Sequence, residues 1–215
     1  MPTQHDLILF DLDGTLSDPL VGIGRSINYA LAHYGYPVRE LDQLSVYIGP
    51  PLDESFRALT GVTTTSHIEA LVAKYRERYA DVGYSENVLY PGIPEALYAL
   101  RYAGIPMGVC TSKRVDFAEQ ILEMFGLRAQ FRFVSGGDIG IQKWQQMQGL
   151  LADCQVSNSS VMVGDRAVDM VAAHRNGLHA AGVLWGHGTQ EELTHEQPRY
   201  LFTSIPELLT LRGLS

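Results

Sequence analysis

The stretch most informative about the fold is Phe10-Asp11-Leu12-Asp13-Gly14-Thr15-Leu16, or FDLDGTL, which directly follows the apolar run Leu7-Ile8-Leu9. A short apolar run of this kind predicts a buried β-strand. Two carboxylates one residue apart repel each other unless a cation or a proton lies between them. A hard divalent cation such as Mg²⁺ prefers such oxygen ligands. The stretch therefore indicates either a cation site at a strand end or, taken alone, an ordinary polar turn.

Length, composition and charge limit the function classes. The chain has 215 residues, of which 46% are hydrophobic and 19% charged, with a formal net charge of −8. This size suits one large domain or a domain with an insert. The negative charge argues against a nucleic-acid partner or an anionic membrane surface, but a small phosphorylated molecule bound through a metal stays compatible with it.

The sequence also predicts a compartment. We find no signal peptide and no apolar run near the roughly 18 residues that a membrane span needs. The two cysteines, Cys110 and Cys154, lack metal-ligand spacing and lie in or beside apolar segments. We therefore expect a cytoplasmic protein in which both are reduced residues of the core.

Short apolar runs alternate with helical patterns along most of the chain, which predicts βαβ units and a parallel sheet buried on both faces. The predicted strands are Leu7–Phe10, Met107–Cys110, Phe131–Val134, Val161–Val163 and Ala180–Leu184. The predicted helices between them are Val115–Phe125, Lys143–Ala152 and Ala167–Asn176. In such sheets, ligands bind at the carboxyl ends of the strands.

Residues 17–87 break this alternation, because they contain helical patterns but no strand run. Two apolar stripes at helical spacing indicate packed helices there: Ile23, Ile27, Ala30, Leu31 and Tyr34, then Ile68, Leu71, Val72, Tyr75 and Tyr79. We predict a helical cap inserted after the first strand at residues 17–87, with residues 1–16 and 88–215 forming the α/β core. A segment that leaves the core at this point would cover the binding face.

Three further groups of polar residues follow predicted strands or loops. Thr111-Ser112-Lys113 comes directly after the second strand, where hydroxyl and N–H groups suit a phosphoryl oxygen. Lys143 opens a helix and is one of only three lysines in the chain. Asp165 ends the fourth strand, and Asp169 lies one helical turn further on. Each group alone fits an ordinary helix start or turn. Together with the stretch that contains Asp11 and Asp13, however, all of them fall where the sheet would bind a ligand.

The order D-x-D-G-T, T-S, K, G-D-x-x-x-D resembles the four motifs of the haloacid dehalogenase-like hydrolase superfamily, in its phosphatase branch. The resemblance covers essentially the whole chain. It implies an α/β fold with a Rossmann-like parallel sheet core and an inserted α-helical cap like that of phosphoglycolate phosphatases. Three stretches, YIGPPLDESF, YPGIPE and GVLWGHGTQEEL, look most like 5′-nucleotidase-like members.

The resemblance also implies a role for each candidate residue. Asp11 is the expected nucleophile, and Asp13 the expected acid and base, because the dehalogenases lack an acid at this second position. Mg²⁺ is the expected cofactor, and its predicted ligand set is the Asp11 side chain, the Asp13 backbone carbonyl and Asp165, with Asp169 supporting the metal shell. The predicted phosphate-binding residues are Thr111, Ser112, Lys113 and Lys143, and either lysine could be the main phosphate cation.

The predicted activity is Mg²⁺-dependent hydrolysis of a small phosphate monoester, such as a nucleoside 5′-monophosphate. Phosphoglycolate phosphatase and sugar-phosphate mutase or phosphatase are the alternatives, followed by a receiver-type signalling module and a phosphate-binding protein without catalysis. Receivers are shorter and lack both the cap and the second acid. Arg25, Arg57 and the loop Gly49–Leu52 are candidates for substrate contacts. Both a monomer and a homodimer are compatible with the sequence.

Overall fold

The computed structural model describes residues 5–212, in which six parallel strands form one sheet. The strands are β1 (Ile8–Phe10), β4 (Met107–Thr111), β5 (Val134–Gly136), β6 (Val161–Gly164), β7 (His179–Val183) and β8 (Tyr200–Phe202), in the order β5-β4-β1-β6-β7-β8. The remaining two strands, β2 (Ser17–Asp18) and β3 (Val88–Leu89), pair antiparallel with each other. The α/β class with a parallel sheet is therefore confirmed.

Eight α-helices accompany these strands within the described residues. They are α1 (Leu20–His33), α2 (Leu52–Thr60), α3 (Thr65–Asp81), α4 (Ile93–Tyr102), α5 (Val115–Met124), α6 (Lys143–Ala152), α7 (Ala167–Arg175) and α8 (Gln190–His195). Short 3-10 helices occupy Asp42–Tyr47, Gly83–Glu86, Arg128–Gln130 and Ile205–Arg212. None of the helices within residues 5–212 combines the length and apolarity needed to cross a membrane.

The sheet is covered on both faces because its strands alternate their side chains. Ile8 and Phe10 of β1 point into one apolar cluster, together with residues of α4 and α5. Leu9 points into a second cluster, which contains Met147 of α6 and Met170 of α7. This period of two is expected of a strand, and burial of both faces explains why the strands have continuous apolar sequences.

The segment between β2 and β3 has an apolar cluster of its own, and we refer to residues 17–87 as the cap segment. The two predicted stripes pack against each other there, and only Tyr34 is exposed. Phe117 of α5 completes this cluster from outside the segment. The division of the chain into residues 17–87 and the rest stays a prediction. Residues 1–4 and 213–215, at the two ends of the predicted core, lie outside the described residues.

Three sequence expectations need correction. The third predicted strand, Phe131–Val134, is displaced, because β5 begins only at Val134. Phe131 is apolar because it is buried in the core, not because it pairs in the sheet. The strand β8 was not predicted, because its three residues are too few to show a pattern. Cys154 is exposed, contrary to expectation, whereas Cys110 is buried as expected.

Candidate active site

Asp11 and Asp13 lie where β1 ends, between β4 and β6. The backbone N–H of Asp11 still donates to Val163 of β6 at 2.9 Å, so the strand pairing fixes this residue. The backbone N–H of Leu12 donates to Asp11 Oδ1 at 2.8 Å, which fixes the orientation of the Asp11 side chain. β4 lies on one side of β1 and β6 on the other, so the order of the strands reverses at β1. In parallel sheets, such a switch point opens a crevice in which ligands bind.

Lys143 reaches Asp11 from the start of α6. Its Nζ lies 2.9 Å from Asp11 Oδ2 and 2.5 Å from Asp169 Oδ1, and the side chains of all three residues are buried. Burial opposes the charged form of Lys143, but the two carboxylates outweigh it and hold the lysine pKa above its usual range. The ammonium group is therefore charged and lies against the predicted nucleophile.

Asp165 follows β6 and approaches Asp11 from the other side. Thr15 Oγ1 donates to Asp165 Oδ1 at 3.3 Å, and the backbone N–H of His187 donates to Oδ2 at 2.8 Å. Burial, followed by the charges of Asp169 and Asp11, raises the Asp165 pKa well above its usual value. Two donors thus hold the Asp165 side chain in place.

Asp169 lies in the first turn of α7. Its Oδ1 pairs with Lys143, and its Oδ2 accepts the backbone N–H of Arg166 at 3.0 Å. Burial raises its pKa, whereas the charge of Lys143 lowers it. Both oxygens therefore have protein partners, which makes Asp169 well placed to hold the lysine against Asp11.

Lys113 pairs with Asp13 in the same way that Lys143 pairs with Asp11. Its Nζ lies 2.9 Å from Asp13 Oδ2, and both side chains are buried. Asp13 Oδ1 has no hydrogen-bond partner among the described residues. Burial, together with the charge of Asp11, raises the Asp13 pKa although Lys113 opposes this. The environment therefore makes the charged form of Asp13 less favourable, which is the direction that suits an acid.

The two hydroxyl groups after β4 differ in their surroundings. Thr111 Oγ1 accepts the backbone N–H of Lys113 at 3.3 Å, so it stabilises the local turn. Ser112 Oγ is buried without a hydrogen-bond partner in the described part of the chain. Ser112 is thus free to donate to an incoming anion, whereas phosphate binding by Thr111 stays a prediction.

The donor set fits a hard divalent cation. Asp11, Asp165 and Asp169 each place a carboxylate oxygen within 4.8 Å of the others, and all three residues are buried. With Asp13, the site holds four carboxylates against the two cations Lys113 and Lys143. A cation with oxygen ligands would offset the remaining repulsion. Asp13 turns its side chain toward Lys113, and its place in the ligand set, through the backbone carbonyl, stays a prediction.

Backbone of the stretch GVLWGHGTQEEL lies close to Asp165 and completes the site. In the sequence, this stretch was notable only for its resemblance to 5′-nucleotidase-like members. A Cβ atom on Gly186 would lie 2.3 Å from the carbonyl oxygen of Gly14, and one on Gly188 would lie 1.8 Å from that of Asp165. Trp185 Nε1 donates to the carbonyl of Thr15 at 3.0 Å. The signal in the sequence was the pair of glycines in WGHG, which indicates close backbone approach.

Gly14 supplies a testable case of this crowding. We expect Gly14→Ala to abolish most activity, because its φ of +81° strains a side chain and the new Cβ would lie 2.1 Å from Asp165 Oδ2. Gly104→Ala is the matched control, with a φ of +78° and no atom within 4 Å of the new Cβ. The control should lose only about 1–2 kcal/mol of stability and keep its activity. Thermal unfolding and initial rates of both variants test this, and equal activity would contradict the crowding argument.

A cleft opens over Asp11 and Asp13, between the sheet and the cap segment. The loop Gly49–Leu52 lines it, as do aromatic side chains of α3 and α5. The expected contacts from Arg25 and Arg57 are not supported: Arg25 pairs with Glu86 at 2.6 Å, and Arg57 donates to the Thr63 carbonyl at 2.8 Å.

Polar contacts join the cap segment to the loops that carry the candidate residues. Arg76 of α3 pairs with Asp138 at 2.6 Å, and Gln142, beside Lys143, donates to Glu54 at 2.7 Å. Arg166, beside Asp165, donates to the carbonyls of Val46 and Ile48. The cap segment is therefore seated over the cleft.

Comparisons with known proteins agree with this geometry. The family model of haloacid dehalogenase-like hydrolases matches residues 8–183. A 5′-nucleotidase of Pseudomonas aeruginosa is 38% identical over 209 residues, which cover 95% of this chain and 94% of the relative. A phosphoglycolate phosphatase of Vibrio parahaemolyticus is 34% identical, with 99% of each chain covered.

Among solved structures, a predicted phosphatase from Clostridium acetobutylicum superposes with a TM-score of 0.91 at 32% identity, covering 96% of this chain and 97% of the other. A family match over most of the chain and phosphatase relatives over nearly its full length agree with the buried carboxylates and lysines at the strand ends. The chain therefore belongs to the haloacid dehalogenase-like hydrolase family and, within it, to the phosphatases.

Proposed function

We propose that the protein hydrolyses a phosphate monoester through a covalent phosphoryl group on Asp11, with Mg²⁺ as cofactor and a nucleoside 5′-monophosphate as the substrate class. One observation carries the mechanism. Asp11 is oriented by the Leu12 N–H and by Lys143, while two residues away Asp13 Oδ1 has no hydrogen-bond partner in the described part of the chain. One carboxylate is thus placed to attack and the other to exchange a proton.

In the first step, a carboxylate oxygen of Asp11 forms a bond to phosphorus, and the bond from phosphorus to the leaving oxygen breaks. The leaving oxygen takes its proton from Asp13. In the second step, Asp13 accepts a proton from water, the water oxygen attacks phosphorus, and the bond to Asp11 breaks. The products are an alcohol and inorganic phosphate, and both carboxyl groups return to their starting states.

The remaining residues hold charge. Lys143 and the free hydroxyl of Ser112 are placed to bind phosphoryl oxygens as charge redistributes in the transition state. Asp11, Asp165 and Asp169 would hold the Mg²⁺ ion, with Asp169 also holding Lys143. When bound, the ion offsets the repulsion between the nucleophile and the substrate anion.

The cleft supports a neutral, ring-containing leaving group over an anionic one. Its lining cations are all paired within the described residues: Lys113 with Asp13 at 2.9 Å, Arg76 with Asp138 at 2.6 Å, and Arg114 with Asp116. A glycolate carboxylate would compete with these pairs. Asp53 Oδ1, in contrast, is buried in the lining without a hydrogen-bond partner among residues 5–212.

The aromatic side chains of the lining offer faces to a base, and Asp53 offers an acceptor to a hydroxyl or amino group. The similarity to the Pseudomonas 5′-nucleotidase also supports this substrate class. The similarity to the Vibrio phosphoglycolate phosphatase supports the alternative substrate, phosphoglycolate, which would need a cation of the lining to exchange its partner.

The test of the proposed function is phosphate release from a panel of esters, with Mg²⁺ and with added chelator. The panel holds nucleoside 5′-monophosphates, 2-phosphoglycolate, sugar phosphates and p-nitrophenyl phosphate. We expect chelator-sensitive release, with the highest kcat/KM for a nucleotide. A preference for phosphoglycolate would overturn the substrate class and leave the mechanism, whereas no metal-dependent release from any ester would overturn both.

Asp53 gives a sharper prediction. We expect Asp53→Ala to lower kcat/KM for a nucleoside monophosphate by about 10- to 100-fold, the usual effect of losing a hydrogen bond to a charged acceptor. Turnover of p-nitrophenyl phosphate should stay unchanged, because this ester has no hydroxyl or amino donor. Asp81→Ala is the control, since Asp81 is an exposed carboxylate of the cap segment outside the cleft lining. An equal loss on both esters would contradict a role in substrate choice.

A further inference from the structure

Tyr79 of α3 is a cap residue that contacts the acid–base machinery of the sheet. Its side chain is buried, with 1% of the residue exposed, and it lines the cleft. Lys113 Nζ donates to the Tyr79 hydroxyl at 2.6 Å and lies 2.9 Å from Asp13 Oδ2. One ammonium group thus joins a phenol of the cap segment to the carboxylate that exchanges the proton.

The phenol is itself fixed in position. Asn87 Nδ2 donates to the same Tyr79 oxygen at 3.2 Å, and Asn87 Oδ1 accepts the hydroxyl of Ser17 at 3.1 Å. Ser17 belongs to β2, and Asn87 immediately precedes β3. The two chain segments that connect the core with the cap segment therefore orient Tyr79. The ring also packs edge-on against Phe117, with centroids 5.1 Å apart.

We propose that Tyr79 is a positioning residue for proton transfer: it holds Lys113 against Asp13 Oδ2 and so keeps the other oxygen, Oδ1, directed at the leaving group. A lysine side chain has a flexible four-carbon stem, and the phenol removes much of that freedom. Because Tyr79 belongs to the cap segment, the acid is correctly placed when that segment is seated. This inference rests on the role of Asp13 in the proposed function.

Comparing esters with different leaving groups distinguishes this positioning role from a purely structural role of Tyr79. An alkyl ester, such as a nucleoside monophosphate, releases a strongly basic alkoxide that needs a proton, whereas p-nitrophenolate leaves without one. In the first chemical step, a residue that positions the acid therefore matters for the first ester and little for the second. A residue that only supports the fold of the cap segment affects both esters equally.

The experiment uses Tyr79→Phe in the full chain, which removes the hydroxyl and keeps the ring. We expect kcat/KM for the alkyl ester, which reports the first chemical step, to fall about tenfold, as for loss of one charge-assisted hydrogen bond. We expect kcat/KM for p-nitrophenyl phosphate to stay within about twofold of wild type, because its first step needs no acid. Equal losses on both esters, or no loss on either, would overturn the inference.

Tyr29→Phe is the matched control. Tyr29 is another tyrosine of the cap segment with a hydrogen-bonded hydroxyl, which donates to Glu77 at 2.6 Å. Lys74 Nζ lies 4.8 Å from its ring centroid, much as Lys113 Nζ lies 4.4 Å from that of Tyr79. The pair of Tyr29 and Lys74 lies on an exposed face of the cap segment outside the cleft lining. We expect its kinetics to match the wild type for both esters.

A second measurement tests whether Tyr79 acts through Lys113. In a double-mutant cycle, Tyr79→Phe should have little further effect in a Lys113→Met background, because the side chain that it positions is gone. Independent, additive losses would overturn the inference. Its failure is distinguishable from failure of the proposed function: if Asp13→Asn lowers kcat/KM, which reports the first step, for both esters equally, the acid assignment itself is wrong.

Discussion

We expect Asp11→Asn to fold normally and to lose its phosphatase activity, with kcat lower by at least about 10⁴-fold, as is usual when a nucleophile is removed. The amide is a far weaker nucleophile than the carboxylate and cannot form the acyl phosphate. Initial rates on the best ester of the panel measure the loss.

The fold should survive because the substitution changes little else. Asparagine keeps the size of the side chain and an oxygen that can accept the Leu12 N–H. It removes one negative charge from a buried group of four carboxylates, and Lys143 keeps its pair with Asp169. A thermal unfolding curve is the check that the protein remains folded.

The covalent step gives an independent readout. After a rapid acid quench, wild-type protein incubated with a ³²P-labelled ester should retain label, and Asp11→Asn should retain none. Asp153→Asn, an exposed change outside the cleft lining, is the control and should behave as wild type. Full activity in a folded Asp11→Asn protein would contradict the nucleophile assignment.

The second large effect is expected for Asp13→Asn. The kcat for an alkyl phosphate should fall by about 10²–10⁴-fold, the range for removal of a general acid–base group. Asparagine can neither donate the proton to the leaving oxygen nor accept one from water. Lys113 loses its carboxylate partner but keeps the Tyr79 hydroxyl, so the local structure should persist.

With p-nitrophenyl phosphate, the same variant should separate the two chemical steps. The first step needs no acid for this leaving group, whereas hydrolysis of the phosphoenzyme still needs the base. We expect a burst of about one nitrophenol per protein molecule, followed by slow turnover. Absence of a burst together with an unchanged steady-state rate would show that Asp13 has no part in either step.

The sequence alone predicted a large part of this protein. Continuous apolar runs marked β1, β4, β6 and β7, since strands buried on both faces need apolar side chains at every position. The polar residues that follow them had to lie at one edge of the sheet because the strands are parallel. Local pattern was weaker at the sheet edges, where β5 was displaced and β8 was missed: short, partly exposed strands carry little periodicity.

The tertiary structure decided which charged groups meet. Sequence left open whether Lys113 or Lys143 serves the phosphate site, and the fold pairs the first with Asp13 and the second with Asp11. It also brought Tyr79 and the His187 N–H to the site from distant parts of the chain. Residue spacing along a strand or helix determines which side chains share a face, but a contact near 3 Å between distant segments depends on how helices and loops pack, and no local pattern encodes that packing.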